Sequence, residues 1–107
     1  MKILISPGFG AGWSTWNSGH VAEYMRTYWP IIDSIESGGG ITSELIEQLE
    51  KECEERFGEK YVCTLGANNL IVKEAIPPFQ IHEYDGFESI VYPGEDETWI
   101  MEETKVE

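Results

Sequence analysis

Apolar side chains recur every three or four residues in two stretches of the chain, which is the pattern of helices with one buried face. The more regular stretch lies between Thr42, a residue type that favours helix starts, and Gly58, a residue type that favours helix ends. The apolar stripe of this predicted helix consists of Leu45, Ile46, Leu49, Cys53 and Phe57. Its opposite face is mainly acidic.

The second stripe predicts a shorter helix that starts at Asn17 or Ser18 and ends or kinks at Pro30. Its apolar members are Val21, Tyr24, Met25 and Tyr28. Residues 31–35 predict one further helical turn, because they are mostly apolar and a run of three glycines breaks the chain soon afterwards, at 38–40.

Short runs of β-branched and aromatic residues predict strands elsewhere. These segments are 2–6, 60–65, 70–75, 79–84, 87–92 and 98–102. Asp85-Gly86 suits the type I′ turn of a two-residue hairpin, which places Glu83 opposite Glu88. The order of elements predicts an α+β fold, with two helices packed on one face of a mostly antiparallel β-sheet of about five strands. The 107 residues are expected to form one domain, 1–107.

The charge of the chain narrows the set of partners. It carries 20 acidic and 7 basic residues, for a formal net charge of -13. Nucleic acids and anionic membranes bind clustered Lys and Arg, so we expect neither as a direct partner. No apolar run has the length of a membrane span or a signal peptide. Cys53 and Cys63 form no CxxC pair. A disulfide between them stays open as an alternative, but a cytoplasmic protein with buried thiols is favoured.

A glycine-rich segment follows the first predicted strand. It lacks the Gly-Lys-Ser/Thr ending of a phosphate loop and the third glycine of the dinucleotide fingerprint. Three interpretations stay open, namely a flexible connection, a backbone-amide nest for a small anion, and a contact with another protein. Its tryptophans belong either to the core or to a stacking platform for a base. The candidate ligand-binding residues are Gly8, Gly10, Gly12, Trp13, Ser14 and Trp16.

Catalytic side chains are sparse. His20 is close in sequence to Ser14 and Thr15, but no Gly-x-Ser-x-Gly elbow surrounds the serine. The opposed carboxylates of Glu83 and Glu88 have the chemistry for proton transfer, yet no second catalytic group accompanies them. No group of His, Asp and Glu has the spacing of metal ligands. We therefore expect a protein without enzymatic activity, metal or cofactor.

Carboxylates concentrate on the outer face of the longer helix and in the last quarter of the chain. Such runs are commonly solvated faces. Carboxylates on a rigid surface can also stand in for DNA phosphates and occupy the basic groove of a nuclease. The candidate partner-binding residues are Glu47, Glu50, Glu54, Glu83, Glu88, Glu95, Asp96, Glu97 and Trp99. An exposed apolar patch near Trp13 or Trp99 would equally suit a homodimer.

Residues 5–17, ISPGFGAGWSTWN, resemble the start of short uncharacterised proteins encoded by bacteriophages and prophages, and the likeness extends to residues 82–86. In size and acidity the whole chain is similar to phage-encoded inhibitors of host defence, such as anti-CRISPR proteins. This resemblance implies a non-enzymatic inhibitor that binds a host protein with a basic surface, such as a nucleic-acid-binding nuclease. The alternative hypothesis is a small-ligand protein that sequesters a nucleotide in the glycine-rich segment.

Overall fold

Two separate pairs of antiparallel strands form the β part of residues 1–93, which are the residues that the computed structural model describes. The first pair joins β1 (Lys2–Ile5) to β2 (Ile71–Glu74). The second pair is a hairpin of β3 (Gln80–Tyr84) and β4 (Phe87–Val91). The α+β class is confirmed, but the described strands number four in two small sheets rather than about five in one sheet. The strand predicted at 98–102 lies outside the described residues.

Residues 60–64 do not form the predicted strand, because a side chain satisfies part of their backbone. The Asn17 carboxamide accepts a hydrogen bond from the Cys63 N–H (3.0 Å) and donates one to the Cys63 carbonyl (3.0 Å). A neighbouring strand would otherwise supply these partners. The chain then turns through a short 3₁₀ helix, Leu65–Asn69, and enters β2.

The helical part of the described residues consists of α1 (Gly19–Arg26), α2 (Trp29–Glu36) and α3 (Ser43–Phe57). Pro30 lies in the first turn of α2, where a missing N–H leaves no intrahelical hydrogen bond unmade, so it opens this helix instead of closing α1. Thr42 caps α3 as predicted, since its hydroxyl accepts from the Leu45 N–H (3.2 Å). Gly58 ends α3 in the left-handed conformation, also as predicted.

Strand β1 separates two apolar clusters. Leu4 faces the helices, whereas Ile3 and Ile5 face the hairpin, where Ile81 and Ile90 pack against them. Besides Leu4, the larger cluster contains Trp13, Val21, Met25, Tyr28, Ile31, Ile32, Leu49, Cys53, Ala67 and Leu70. The helices and the hairpin therefore cover opposite faces of the first strand pair, and β1 holds the start of the glycine-rich segment between them.

Both cysteines are free thiols, as expected. Cys53 is fully buried in the larger cluster, and this burial raises the pKa of its thiol. The Cys53 side chain therefore stays protonated at neutral pH and packs as a small apolar group.

Candidate functional site

The turn of the hairpin packs directly against the glycine-rich loop, residues 7–12. Asp85 and Gly86 both have positive φ angles, 51° and 88°, as the predicted type I′ turn requires. The Gly10 N–H donates a 2.7 Å hydrogen bond to the Asp85 carbonyl. A methyl group on Gly86 would overlap the backbone of Ala11. Loop and turn therefore meet backbone to backbone, and a side chain at 86 would separate them.

Glu88, in the strand that follows this turn, places a buried carboxylate between the two ends of the loop. The residue is only 1% exposed. Its Oε1 accepts a hydrogen bond from the Ser6 N–H (2.8 Å), and its Oε2 accepts one from the Trp13 N–H (2.7 Å). Thr15 donates both its N–H (3.1 Å) and its hydroxyl (2.5 Å) to the same Oε2. Because the Glu88 N–H also donates to the Ser6 carbonyl (2.8 Å), one residue ties both loop ends to β4.

Backbone amides, and not a basic side chain, compensate this carboxylate for its loss of water. No Lys or Arg of residues 1–93 forms an ion pair with Glu88. Converging N–H groups bind anions in this way in backbone nests. The converging N–H groups belong to Ser6, Trp13 and Thr15 and not to the loop glycines of the predicted nest, and a side chain of the same chain occupies them. This corrects two predictions, since the converging amides are not open to a ligand and Glu88 is not on a partner-binding surface.

The three glycines of the loop differ in how close they lie to the Glu88 carboxylate. Gly12 is buried, and a Cβ there would lie 3.0 Å from Glu88 Oε2. Gly8 is half-buried beside the Asn69 side chain, and Gly10 is exposed. Of the three loop glycines, Gly12 is therefore the one whose backbone lies against the Glu88 carboxylate.

Trp13 belongs to the core, which corrects its prediction as a stacking platform. The residue is fully buried in the larger cluster, and its indole N–H donates to the Met25 carbonyl (2.9 Å). Ser14, also a predicted ligand residue, is buried as well. Because no part of Trp13 is exposed, its indole is not available for stacking on a base. The hydrogen bond that the Trp13 N–H donates to Glu88 connects this core residue to the loop.

Trp16 is partly exposed and connects the loop to the hairpin through Glu83. Its indole N–H donates to Glu83 Oε2 (2.8 Å), which also accepts from the Gly86 N–H (2.7 Å). These donors lower the pKa of the Glu83 carboxyl, the Trp16 contact first. Glu83 does lie opposite Glu88, as predicted, but Glu83 is exposed whereas Glu88 is buried, and each carboxylate accepts hydrogen bonds from its own donors.

Three aromatic rings meet on the outside of this joined loop and turn, and we call Phe9, Tyr84 and Phe87 the aromatic tip. Their exposed fractions are 64%, 77% and 36%. The Phe9 ring centroid lies 6.4 Å from that of Tyr84, in an edge-on arrangement, and 5.2 Å from that of Phe87. Sequence reasoning did not select these residues, although the hairpin register pairs Tyr84 with Phe87 across the strands.

Known proteins give no guide to what this surface does. Comparison with protein families, curated proteins and solved structures finds no match to this chain. Within residues 1–93, no group of three His, Cys, Asp or Glu side chains is placed to hold a metal ion. None of the helices in that range has both the length and the apolar character needed to cross a bilayer. The candidate site is therefore defined by its geometry alone.

The other predicted site residues do not join the aromatic tip through hydrogen bonds or ion pairs. On α3, Glu47 and Glu54 are exposed, and half-buried Glu50 accepts a hydrogen bond from the Thr64 hydroxyl (3.2 Å). His20 stacks on Phe57, with ring centroids 6.1 Å apart, and makes no hydrogen bond to Ser14 or Thr15. The last group of candidates lies outside the described residues: Glu95, Asp96, Glu97 and Trp99.

Acidification is expected to break the Trp16–Glu83 contact below the ordinary titration range of glutamate. The donated hydrogen bonds hold the pKa of Glu83 below its usual 4.5. A group whose pKa is lowered by folding contributes its full stabilisation above the unfolded pKa, and this is lost as the pH falls through the folded pKa. The test follows the indole N–H resonance of Trp16 by NMR during acid titration.

The Glu83→Gln variant serves as the control for that titration, because it keeps an acceptor oxygen but removes the ionisable group. Its Trp16 resonance should not titrate in this range. A wild-type midpoint at or above 4.5 would show that the hydrogen bonds to Glu83 are absent in solution.

Proposed function

We propose that this chain is a non-enzymatic binding protein whose aromatic tip docks onto a basic surface of another protein. The observation that carries the proposal is the exposure of Phe9, Tyr84 and Phe87, with the Phe9 ring against both of the others. Contiguous exposed apolar side chains mark interaction sites. Aromatic residues are also the most frequent energetic anchors of protein interfaces.

The backbone beneath the tip supports this proposal, because it is fixed before any partner arrives. Phe9 lies on the loop, whereas Tyr84 and Phe87 lie on the hairpin, and the Glu88 and Asp85 hydrogen bonds join these two segments. A surface that is already ordered loses little conformational entropy on binding. Rings that were merely exposed to solvent, without a binding role, would not need a fixed backbone beneath them.

Charge favours a partner rich in arginine. Glu83 and Asp85 lie at the hairpin turn, and neither residues 7–16 nor residues 79–93 contain a Lys or an Arg. A guanidinium group can stack on an exposed ring and pair with a neighbouring carboxylate. The lowered pKa of Glu83 keeps its carboxylate charged at neutral pH. The net charge of -13 would also speed the encounter with a basic partner.

In its biological form, we propose that the chain is an inhibitor of a host defence nuclease, encoded by a phage or another mobile element and acting in the cytoplasm. Nucleases that bind nucleic acid present grooves lined with Arg and Lys. A negatively charged protein with aromatic anchors is suited to such a groove. The exposed carboxylates of α3, which include Glu47 and Glu54, would assist approach through long-range attraction.

Binding of a nucleotide in the glycine-rich loop is the less favoured function. The Trp13 and Thr15 amides already donate to Glu88, and the Trp13 indole is buried. A phosphate would have to displace an internal carboxylate that is tethered in place.

The proposal is tested with purified CRISPR nucleases of several types, each assayed for cleavage of target DNA at rising concentrations of the chain. We expect the wild-type protein to inhibit at least one nuclease. The double variant Phe9→Ala/Tyr84→Ala should need about thirtyfold more protein or beyond for half inhibition, because a hot-spot truncation costs about 2 kcal/mol or more. Both side chains are exposed, so the variant should keep its circular dichroism spectrum.

Tyr61→Ala is the matched control, since Tyr61 is 89% exposed and lies in the loop after α3. It should inhibit like the wild type, and inhibition should weaken as the salt concentration rises. If no nuclease is inhibited, the host-defence role is contradicted. If the double variant inhibits as well as the Tyr61→Ala control, the aromatic tip is not the docking surface.

A further inference from the structure

A cavity lies at the opposite end of the hairpin from the aromatic tip. Its volume is about 410 Å³, and it lies between the end of α1 and the segment that leads into β3. Glu23 and Arg26 line one side, and Pro77, Pro78 and Phe79 line the other. The tip is at the turn end of β3 and Phe79 immediately precedes that strand, so the two features are separated by its full length.

Arg26, the last residue of α1, is a cation without a partner in this cavity. The residue is half-buried, and its Nε is buried with no hydrogen-bond acceptor. No carboxylate of residues 1–93 forms an ion pair with it, although the chain has 20 acidic residues. Two other cations of the described residues do have partners, since Lys2 pairs with Glu36 (2.8 Å) and Arg56 lies 5.0 Å from the ring of Tyr24.

A partly desolvated guanidinium group is stabilised most by an anion that accepts two of its hydrogen bonds. The groups across the cavity are apolar, and Pro77, Pro78 and Phe79 offer flat hydrocarbon surface. A ligand that satisfies both sides therefore carries an anionic head on an apolar, planar body.

The charge around the cavity selects among such anions. Glu23 lines the same cavity one helical turn before Arg26 and repels negative charge. Met1 also lines the cavity, but its N-terminal ammonium already pairs with Glu74 (2.9 Å). The chain as a whole carries a net charge of -13. A singly charged head is therefore favoured over a phosphate dianion. We propose that this cavity is a binding site for a small aromatic or alicyclic carboxylate, independent of the docking function of the tip.

The test is an NMR titration of the ¹⁵N-labelled protein with benzoate, phenyl phosphate, acetate and benzyl alcohol. Benzoate should give saturable shifts at the Arg26 Nε–H and at the amides of residues 23–27 and 79, with a Kd in about the millimolar range for so small a ligand. Phenyl phosphate and acetate should bind more weakly, and benzyl alcohol should give no saturable shift.

Two substitutions in the cavity should act in opposite directions. Arg26→Gln should abolish the saturable shifts of benzoate, whereas Glu23→Gln should tighten benzoate binding severalfold by removing the like charge. Lys60→Gln, at an exposed residue outside the cavity, is the control and should leave the Kd unchanged. Absence of saturation in the wild type, or equal binding by Arg26→Gln and the wild type, would overturn the proposal.

Discussion

Replacement of Glu88 by alanine is expected to lower the free energy of unfolding by about 3–5 kcal/mol, the largest effect of any polar substitution in the described chain. The substitution removes the acceptor of four hydrogen bonds, from Ser6, Trp13 and Thr15. The three N–H groups are held by the backbone and cannot turn to other acceptors. Urea unfolding followed by circular dichroism measures the change.

Glu83→Ala is the control for this measurement, because Glu83 is the exposed cross-strand neighbour of Glu88. It should cost much less stability than Glu88→Ala, although it removes the same chemical group. Glu88→Gln should fall between the two, since it keeps one oxygen but turns an NH₂ group toward N–H donors. Equal midpoints for the Glu83→Ala and Glu88→Ala variants would mean that the carboxylate does not organise the loop.

Alanine substitutions of Trp13 and Trp16 are expected to lower the free energy of unfolding by clearly different amounts. Trp13→Ala should destabilise the protein by about 3–5 kcal/mol, because it leaves a large core cavity and removes the indole hydrogen bond to Met25. Trp16→Ala should cost under about 1 kcal/mol, because its ring is partly exposed and its hydrogen bond to Glu83 is at the surface. Urea unfolding of the two variants under the same conditions decides the matter.

Retention of wild-type stability by Trp13→Ala would contradict the burial of that ring. Trp16→Ala should also raise the pKa of Glu83 toward its ordinary value, since the Trp16 contact is the largest cause of the lowered pKa, and the ¹³C resonance of the Glu83 side-chain carboxyl group measures this titration. The same variant thus distinguishes a surface contact from a core contact by a second readout.

Elements with a strong local signal could be predicted from the sequence. The limits of α3 follow from Thr42 and Gly58, whose hydrogen-bonding and backbone preferences act within a few residues. The type I′ turn follows from Asp85-Gly86, because both positions need positive φ angles. The ends of α3 and the conformation of the turn depend on residues that are close in sequence, and tertiary packing does not reverse them.

The organisation of the candidate site could not be predicted in the same way, because it depends on contacts between distant residues. The Ser6–Glu88 hydrogen bond joins residues 82 positions apart. Asn17 replaces a strand partner for Cys63, which removes one predicted strand. One signal was available, however. Strand alternation puts Glu88 on the same face as Ile90, and Ile90 packs toward the core.

Glu88 was predicted on the acidic surface but is buried, so negative charge has an internal structural role in this protein as well. Glu88 organises the loop from inside and Glu83 accepts a hydrogen bond from Trp16, so the exposed carboxylates of α3 are the ones that the proposed partner would meet. The proposed binding surface is therefore small and mostly aromatic. Long-range electrostatic attraction contributes to the approach of the partner, and the aromatic rings supply most of the affinity. A partner bound mainly through charge would instead contact the acidic face of α3.

The most direct test of the docking proposal maps where an arginine-rich sequence contacts the protein. A peptide of alternating Arg and Gly, and a Lys-Gly peptide of equal charge, are titrated into the ¹⁵N-labelled chain. Arginine stacks on aromatic rings better than lysine does. We predict the largest shifts at Phe9 and residues 83–87, and larger shifts with the Arg-Gly peptide. Shifts confined to the acidic face of α3, or equal for both peptides, would contradict the account.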